Sequence, residues 1–123
     1  MLARVAFLAA ALCVLCGNAA AQGWPSKPIR YVVPFPPAGA TDITARIMAD
    51  KISGPLGQPV VVENRPGVAG NVGTELVARS APDGYTILQL TVAQSISATL
   101  YAKLNYDLEK DLTPVAMVAL VPM

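Results

Sequence analysis

The sequence predicts an α/β fold in which a parallel sheet is flanked by helices. Three short runs rich in β-branched residues, at positions 29–33, 60–62 and 86–90, are each followed by a stretch of helical periodicity. The segments between these runs are long enough for the crossover connections that parallel strands require. A strand–helix order repeated three times is typical of parallel sheets with helices on their faces.

The first strand and the first helix are separated by a proline-rich loop. Residues 29–33 are β-branched or aromatic, and Pro34 stops this strand. Helical spacing begins at Ala40, and Gly54-Pro55 is expected to end the helix because proline cannot continue its hydrogen-bond ladder. The apolar residues at helical spacing are Ile43, Ile47, Met48 and Ile52.

The second strand and helix follow the same order. Residues 60–62 are three consecutive valines, which is typical of a strand buried on both faces. A helix is predicted over residues 70–80, with Val72 and Leu76 on one face. Glu75 and Arg79 are spaced to form an i,i+4 ion pair on this helix.

A third strand is predicted at residues 86–90, after the turn signal Pro82-Asp83-Gly84. Ile96, Leu100 and Leu104 then mark a helix of about three turns. Residues 115–121 return to a strand-like apolar run. Because the chain stops there and would leave a sheet edge bare, we expect it to be the first part of a longer protein.

The composition disfavours several functional classes. Of the 123 residues, 54% are hydrophobic and 14% charged, and the net charge of +1 argues against both disorder and nucleic-acid binding. Histidine is absent, and Cys13 and Cys16 are the only cysteines. The usual general base and the usual metal ligands are therefore missing, so an enzyme is disfavoured and no cofactor or metal is predicted.

The N-terminus has the pattern of a secretory signal peptide over residues 1–21. Arg4 precedes an apolar run at 5–16, and Ala19-Ala20-Ala21 offers a small-residue cleavage site after Ala21. The alternative of a membrane anchor needs about 20 apolar residues. Lipidation at Cys16 is a second alternative, but the residues before it are not small. Residues 22–123 contain no further apolar run of membrane-spanning length.

The loops that follow the strands are the candidate ligand site. In open parallel sheets, ligands bind beyond the carboxyl ends of the strands, which here means loops 35–41, 64–70 and 91–94. The first two are rich in glycine and proline and lead into helix N-termini, whose free N–H groups suit a carboxylate or phosphate. The alternative is that the glycines only turn the chain. Neither nucleotide-binding glycine pattern occurs, so nucleotide binding is weakly supported.

Asp42 has two candidate roles. At the first turn of its helix it favours the dipole and can cap free N–H groups, which is the preferred interpretation. It could instead hold the loop or a bound water, or accept a hydrogen bond from an amino group of a ligand. Thr41 is likewise interpreted as a cap, and Phe35 as a packing residue that could wall a pocket.

Five sequence blocks then resemble a known family. They are Trp24-Pro25-Ser26-Lys27-Pro28-Ile29 with 33–42, 60–67 with Gly70-Asn71 and Gly73, 81–86, Leu100-Tyr101 with Tyr106-Asp107, and 111–115. In this order they resemble the Bug proteins, the periplasmic solute-binding receptors of tripartite tricarboxylate transporters, also called the TctC family. Ala38 stands where that family often has a glycine.

The resemblance implies a two-lobed fold of the periplasmic-binding-protein type II class, of which residues 22–123 would form the incomplete N-terminal part of lobe 1. It implies a small carboxylate ligand, membrane transporter subunits as partners, a periplasmic location, and a monomer when the protein is full length. The candidate ligand-binding residues are Phe35, Ala38, Gly39, Ala40, Thr41, Asp42, Gly70, Asn71 and Thr91.

Two alternatives to a working receptor stay open. One is a fragment of a secreted α/β hydrolase or transferase, with its catalytic residues beyond Met123. The other is a truncated, non-functional receptor. If the chain is part of a receptor, it is expected to bind its ligand only weakly when alone, because half or more of the closing pocket would be absent.

Overall fold

The fold is described for residues 23–120 of a computed structural model. The predicted signal peptide at 1–21, its cleavage after Ala21, and the last residue of the predicted run 115–121 lie outside the described residues. Among residues 23–120, no helix combines the length and the apolar character needed to cross a bilayer.

Three parallel strands form the sheet. They are β1 (Ile29–Val33), β2 (Val60–Asn64) and β3 (Thr86–Leu88), in the order β2-β1-β3. The register places Val33 beside Asn64, so that the carboxyl ends of β1 and β2 lie at the same edge. The predicted α/β class with a parallel sheet is confirmed, although β3 is two residues shorter than predicted.

The helices are α1 (Ala40–Leu56), α2 (Asn71–Ala78) and α3 (Val92–Leu100), and a 3₁₀ turn at Val68–Gly70 precedes α2. The prediction that Gly54-Pro55 ends α1 is wrong, because Pro55 lies inside the last turn. The helix ends instead at Gly57, whose φ of 64° is left-handed and whose N–H donates to the Gly54 carbonyl at 3.0 Å. Leu104 lies beyond α3, so that helix is shorter than its apolar spacing predicts.

Helix α1 packs on the sheet through alanines. Ala45 and Ala49 are buried in one core with residues of β1 and β2, and Met48 and Ile52 pack at its margin. Ile43 and Ile47, in contrast, are 53% and 57% exposed, so the predicted apolar set divides between two faces. Small side chains let the helix axis lie close to the strands, which a row of isoleucines would prevent.

Helix α2 approaches the β1–α1 connection through its smallest residue. A Cβ atom at Gly73 would lie 2.8 Å from the Arg65 carbonyl oxygen and 3.0 Å from the Pro34 Cα. Val72, predicted to lie on the main apolar face, is 47% exposed. The predicted pair of Glu75 and Arg79 is confirmed, at 2.8 Å. The close approach of the Gly73 backbone to Arg65 and Pro34, rather than the packing of large apolar side chains, therefore fixes the position of the start of α2.

Two further predictions about strands are wrong. Val61 is 51% exposed, because α1 covers only the face of β2 that carries Val60 and Val62. The described part of the predicted run 115–121 has no regular structure, and Val115 and Leu120 are 86% and 83% exposed. A strand needs a hydrogen-bonded neighbour, and among the described residues this run has none.

Candidate functional site

The start of α1 is open to solvent. Its N-cap residue, Gly39, has extended backbone, and no side chain caps the helix. Ala38, Gly39 and Ala40 are exposed, whereas Thr41 and Phe35 are half-buried. The amides of a first helical turn have no intrahelical acceptor, so these groups are left available as donors. The predicted roles of these residues in ligand binding stay predictions, but the local geometry permits them.

A buried carboxylate holds this loop. Asp42 is 3% exposed, and its Oδ2 accepts hydrogen bonds from the Ala38 N–H at 2.9 Å and from Arg46 Nε at 3.0 Å. Its Oδ1 accepts a bond from Asn64 Nδ2 at 2.9 Å. Of the two roles weighed for Asp42, the arrangement favours holding the loop, because both oxygens already have partners. The helix itself has no side-chain cap.

The hydrogen bonds also set the charge state of Asp42. The bond from Arg46, followed by those from the Ala38 N–H and Asn64, lowers the pKa of Asp42 from 3.8 to about 2. Because the folded-state pKa is lower than the ordinary value, the resulting stabilisation is present above about pH 4 and is lost as pH falls towards 2. The loop is thus held by an ionised group at neutral pH.

Asn64 completes the same network from the end of β2. Its Nδ2 also donates to the Phe35 carbonyl oxygen at 3.1 Å, and its Oδ1 accepts from Arg46 Nη2 at 3.2 Å. Sequence reasoning placed Asn64 at the start of the candidate loop 64–70 but gave its side chain no role. The signal that could have found it is its position at the carboxyl end of the strand neighbouring β1, next to a loop that carries Asp42.

The start of α2 differs from the start of α1. The N–H groups of Gly70 and Val72 donate to the Gly67 carbonyl at 2.9 and 3.4 Å, and the Asn71 N–H donates to the Val68 carbonyl. The expectation of free backbone amides at this second helix is therefore wrong, because the 3₁₀ turn supplies their acceptors. The Asn71 side chain is buried, and its Oδ1 accepts from the Tyr106 hydroxyl at 2.7 Å.

The third loop begins with a capping box. The Thr91 hydroxyl accepts from the Ala93 N–H at 3.3 Å, and the Thr91 N–H donates to Gln94 Oε1 at 2.9 Å. Thr91 thus has a structural role, and its predicted contact with ligand stays a prediction. The T-x-x-Q pattern was the sequence signal for Gln94, which the sequence reasoning missed.

The three loops meet at Gly70. A side chain at this position would collide with the Gln94 amide of the third loop and approach the Phe35 ring of the first to 3.4 Å. The φ of Gly70 is also 90°, which favours glycine. The sequence prediction that these loops lie together is supported at this point, because Phe35 and Gln94 both lie close to the position that a Gly70 side chain would take.

Two surface hollows lie beside the segment 101–109 and include no residue of the β1–α1 loop. One has a volume of about 210 Å³ and lies between α2 and this segment, with Asn71, Glu75 and Tyr106 in its wall. The other, of about 650 Å³, lies between α3 and the same segment. Of the predicted ligand-binding residues, Asn71 alone lines either hollow. The exposed amides of α1 therefore belong to a separate, open surface.

Ala38 provides a test of strain in this loop. Its φ of 67° is left-handed, a conformation that costs a non-glycine residue about 1–2 kcal/mol. Ala38→Gly is expected to raise the free energy of unfolding, by up to about 1 kcal/mol after the greater entropy of unfolded glycine is counted. Urea denaturation measures the change. Ala98→Gly, at an exposed helical position, is the control and should destabilise by about 1 kcal/mol. Equal destabilisation by both variants would contradict the prediction.

Comparison with known proteins identifies the family. Residues 44–123 match the model of the tripartite tricarboxylate transporter family receptor, TctC. The chain belongs to this family. Protein BugT of Bordetella pertussis is 44% identical over 105 residues, which are 84% of this chain and 32% of BugT. The chain thus spans about a third of the length of the curated relatives that it matches.

Solved structures of TctC-type proteins agree with this assignment. MatC from Rhodopseudomonas palustris, with bound malate, superposes with a TM-score of 0.69 at 35% identity, over 77% of this chain and 33% of MatC. The periplasmic binding protein BugD gives a TM-score of 0.52 at 49% identity, over 53% of this chain and 22% of BugD. The matching family is one of receptors and BugD is a periplasmic binding protein, which disfavours the hydrolase or transferase alternative.

Proposed function

We propose that this chain forms the ligand-contacting first part of a periplasmic receptor that binds a small carboxylate and delivers it to membrane transporter subunits. The observation that carries the proposal is the uncapped, exposed start of α1, held in place by Asp42. Outward-facing amides and the positive end of the helix dipole favour a negatively charged oxygen. Export with cleavage after Ala21 is part of the same proposal.

Recognition in this lobe is proposed to use uncharged donors. Arg46 is the basic residue that pairs with Asp42 beside the loop, and its guanidinium also bonds Asn64. A ligand carboxylate would therefore meet backbone N–H groups rather than a free cation. The malate bound by MatC, which is similar to this chain, supports a di- or tricarboxylate as the ligand class.

Calorimetry on two proteins tests the proposal. One is the chain itself, and the other is a chimaera in which residues 23–120 replace the matching segment of BugT. Because the rest of the cleft would come from BugT, we expect the chimaera to bind malate, citrate or adipate with Kd of about 1 µM. The chain alone should bind the same acid at least about 100-fold more weakly, since it supplies only one wall.

The diamide of the same acid is the control, because it keeps the shape and lacks the negative charge. Binding of the diamide as tight as that of the acid would contradict recognition of a carboxylate by α1. Failure of a folded chimaera to bind any acid of a broad carboxylate panel would overturn the proposal. Micromolar binding by the chain alone would instead show that the described residues form a complete site.

A further inference from the structure

We propose that Asn64 is a positioning residue that sets the β1–α1 loop for ligand binding. The inference rests on the proposed function, because the ligand is taken to bind the amides at the start of α1. Asn64 itself lies on β2 and reaches the loop from the neighbouring strand.

The Asn64 side chain uses both of its N–H donors and its acceptor oxygen in this contact. Its Nδ2 donates to two acceptors, the Phe35 carbonyl at 3.1 Å and Asp42 Oδ1 at 2.9 Å. Its Oδ1 accepts from Arg46 at 3.2 Å. An amide can do this because it carries two N–H donors and one acceptor oxygen on a single plane. Among the described residues, no other side chain donates to the Phe35 carbonyl.

The placement of the donor explains why an amide is needed. The Phe35 carbonyl and the Asp42 carboxylate are both acceptors, and without a donor between them they would repel each other. Phe35 begins the loop and Asp42 holds its other end at the Ala38 N–H. Asn64 therefore joins both ends of the loop to β2 and fixes the direction in which the amides of Gly39, Ala40 and Thr41 point.

The same group adds no negative charge beside these amides. Asp42 pairs with Arg46, and Asn64 adds no charge. The other charged side chains from the packed strands, Arg30 of β1 and Glu63 and Arg65 around the end of β2, pair with one another. An anionic ligand beside α1 is thus not repelled by an uncompensated carboxylate.

Asn64→Asp tests the proposal because it replaces the donor NH2 group by a carboxylate oxygen, which is an acceptor. At pH 7 one oxygen of the new carboxylate still faces Arg46 as an acceptor. The other oxygen faces the Phe35 carbonyl and the Asp42 carboxylate, which are themselves acceptors, and the substitution adds a negative charge. We expect the backbone amide NMR signals of Gly39, Ala40 and Thr41 to shift in the ligand-free, ¹⁵N-labelled chain. Malate affinity, from a titration to about 50 mM, should fall at least about tenfold, or 1.4 kcal/mol.

Acidification is expected to rescue this variant. Near pH 4, around the ordinary pKa of aspartate, the introduced group gains an O–H donor, while the bonds from Arg46 and the Ala38 N–H, the two largest causes of the lowered pKa of Asp42, should keep Asp42 ionised. The loop signals and the affinity should then move back towards those of the parent at the same pH. Asn64→Leu, which has no donor at any pH, should show the loss without the recovery. Asn105→Asp is the matched control, because Asn105 also donates to a carboxylate, Glu75, but away from this loop.

The outcomes separate the two proposals. Loop signals and affinity that are unchanged in both Asn64 variants overturn the positioning role. A drop in melting temperature with unchanged affinity, measured where the variant is fully folded, overturns it too, because it assigns Asn64 to stability alone. If the parent shows no shifts with malate and the chimaera binds nothing, the proposed function fails and the positioning role fails with it.

Hydrogen exchange in the parent chain tests the same proposal and does not depend on the folding of any variant. In the parent chain, both Asn64 side-chain amide hydrogens are bonded, so they should exchange with water more slowly than those of the exposed Asn105. Equal exchange rates would show that the bridge between the strand and the loop does not persist in solution, and would overturn the inference.

Discussion

Replacing Asp42 by alanine is expected to remove carboxylate binding by the chimaera, with affinity falling at least about 100-fold. The substitution deprives the Ala38 N–H, Arg46 and Asn64 of a shared acceptor. Without these three hydrogen bonds the loop is no longer tied to α1 and β2, so it should move and the amides of α1 should lose their common direction. Calorimetry with malate measures the loss, and thermal unfolding should show a lowered Tm.

Asp50→Ala is the control for this prediction. Asp50 lies on the same helix, is exposed, and has the same side-chain charge. If the two variants bind malate equally, the binding geometry does not depend on the Asp42 contacts. An affinity for Asp42→Ala that matches the parent would contradict both the proposed loop geometry and the role of Asp42 in it.

Gly73→Ala is expected to destabilise the fold by about 1–3 kcal/mol. The added methyl group would lie 2.8 Å from the Arg65 carbonyl oxygen and 2.9 Å from the Pro34 Cβ. Both neighbours belong to main chain or to a rigid proline ring, so a rotamer change cannot relieve the overlap. Helix α2 and the β1–α1 loop would have to separate. Urea denaturation at constant m-value measures the effect.

Gly54→Ala provides the matched comparison. Gly54 also lies in a helix, but apart from its chain neighbours and its own helix backbone nothing lies within 4 Å of the position that its Cβ would occupy. Alanine has the better intrinsic propensity but precedes Pro55, whose ring disfavours helical backbone there, so the free energy of unfolding should change by less than about 1 kcal/mol. If Gly73→Ala destabilises no more than Gly54→Ala, α2 does not approach the loop closely.

The features that depend on local sequence patterns, such as the positions of strands and helix starts, could be predicted from the sequence. β-Branched runs located all three strands, and the change of period at Ala40 located the start of α1 to the residue. The first-turn position of Asp42 was also visible, because it depends only on spacing. Its partner Asn64 was not, since their contact depends on the register of two strands that are distant in sequence.

Burial was harder to predict because it depends on neighbours. Ile43 and Ile47 have the hydropathy of core residues, yet Ala45 and Ala49 take the positions against the sheet. The free amides expected at α2 were wrong for a related reason: the left-handed backbone at Val68 and Ala69 builds a 3₁₀ turn that propensity does not predict. In both cases, close backbone approach decides the outcome rather than residue type.

The central position of β1 has a consequence for the order of folding. The first strand in the chain pairs on one side with β2 and on the other with β3, which ends at Leu88. These pairings join segments far apart in sequence, so loop-closure entropy delays their formation. A chain emerging from a ribosome, amino end first, cannot finish its middle strand until Leu88 has followed. The sheet therefore stays incomplete until its third strand has left the ribosome.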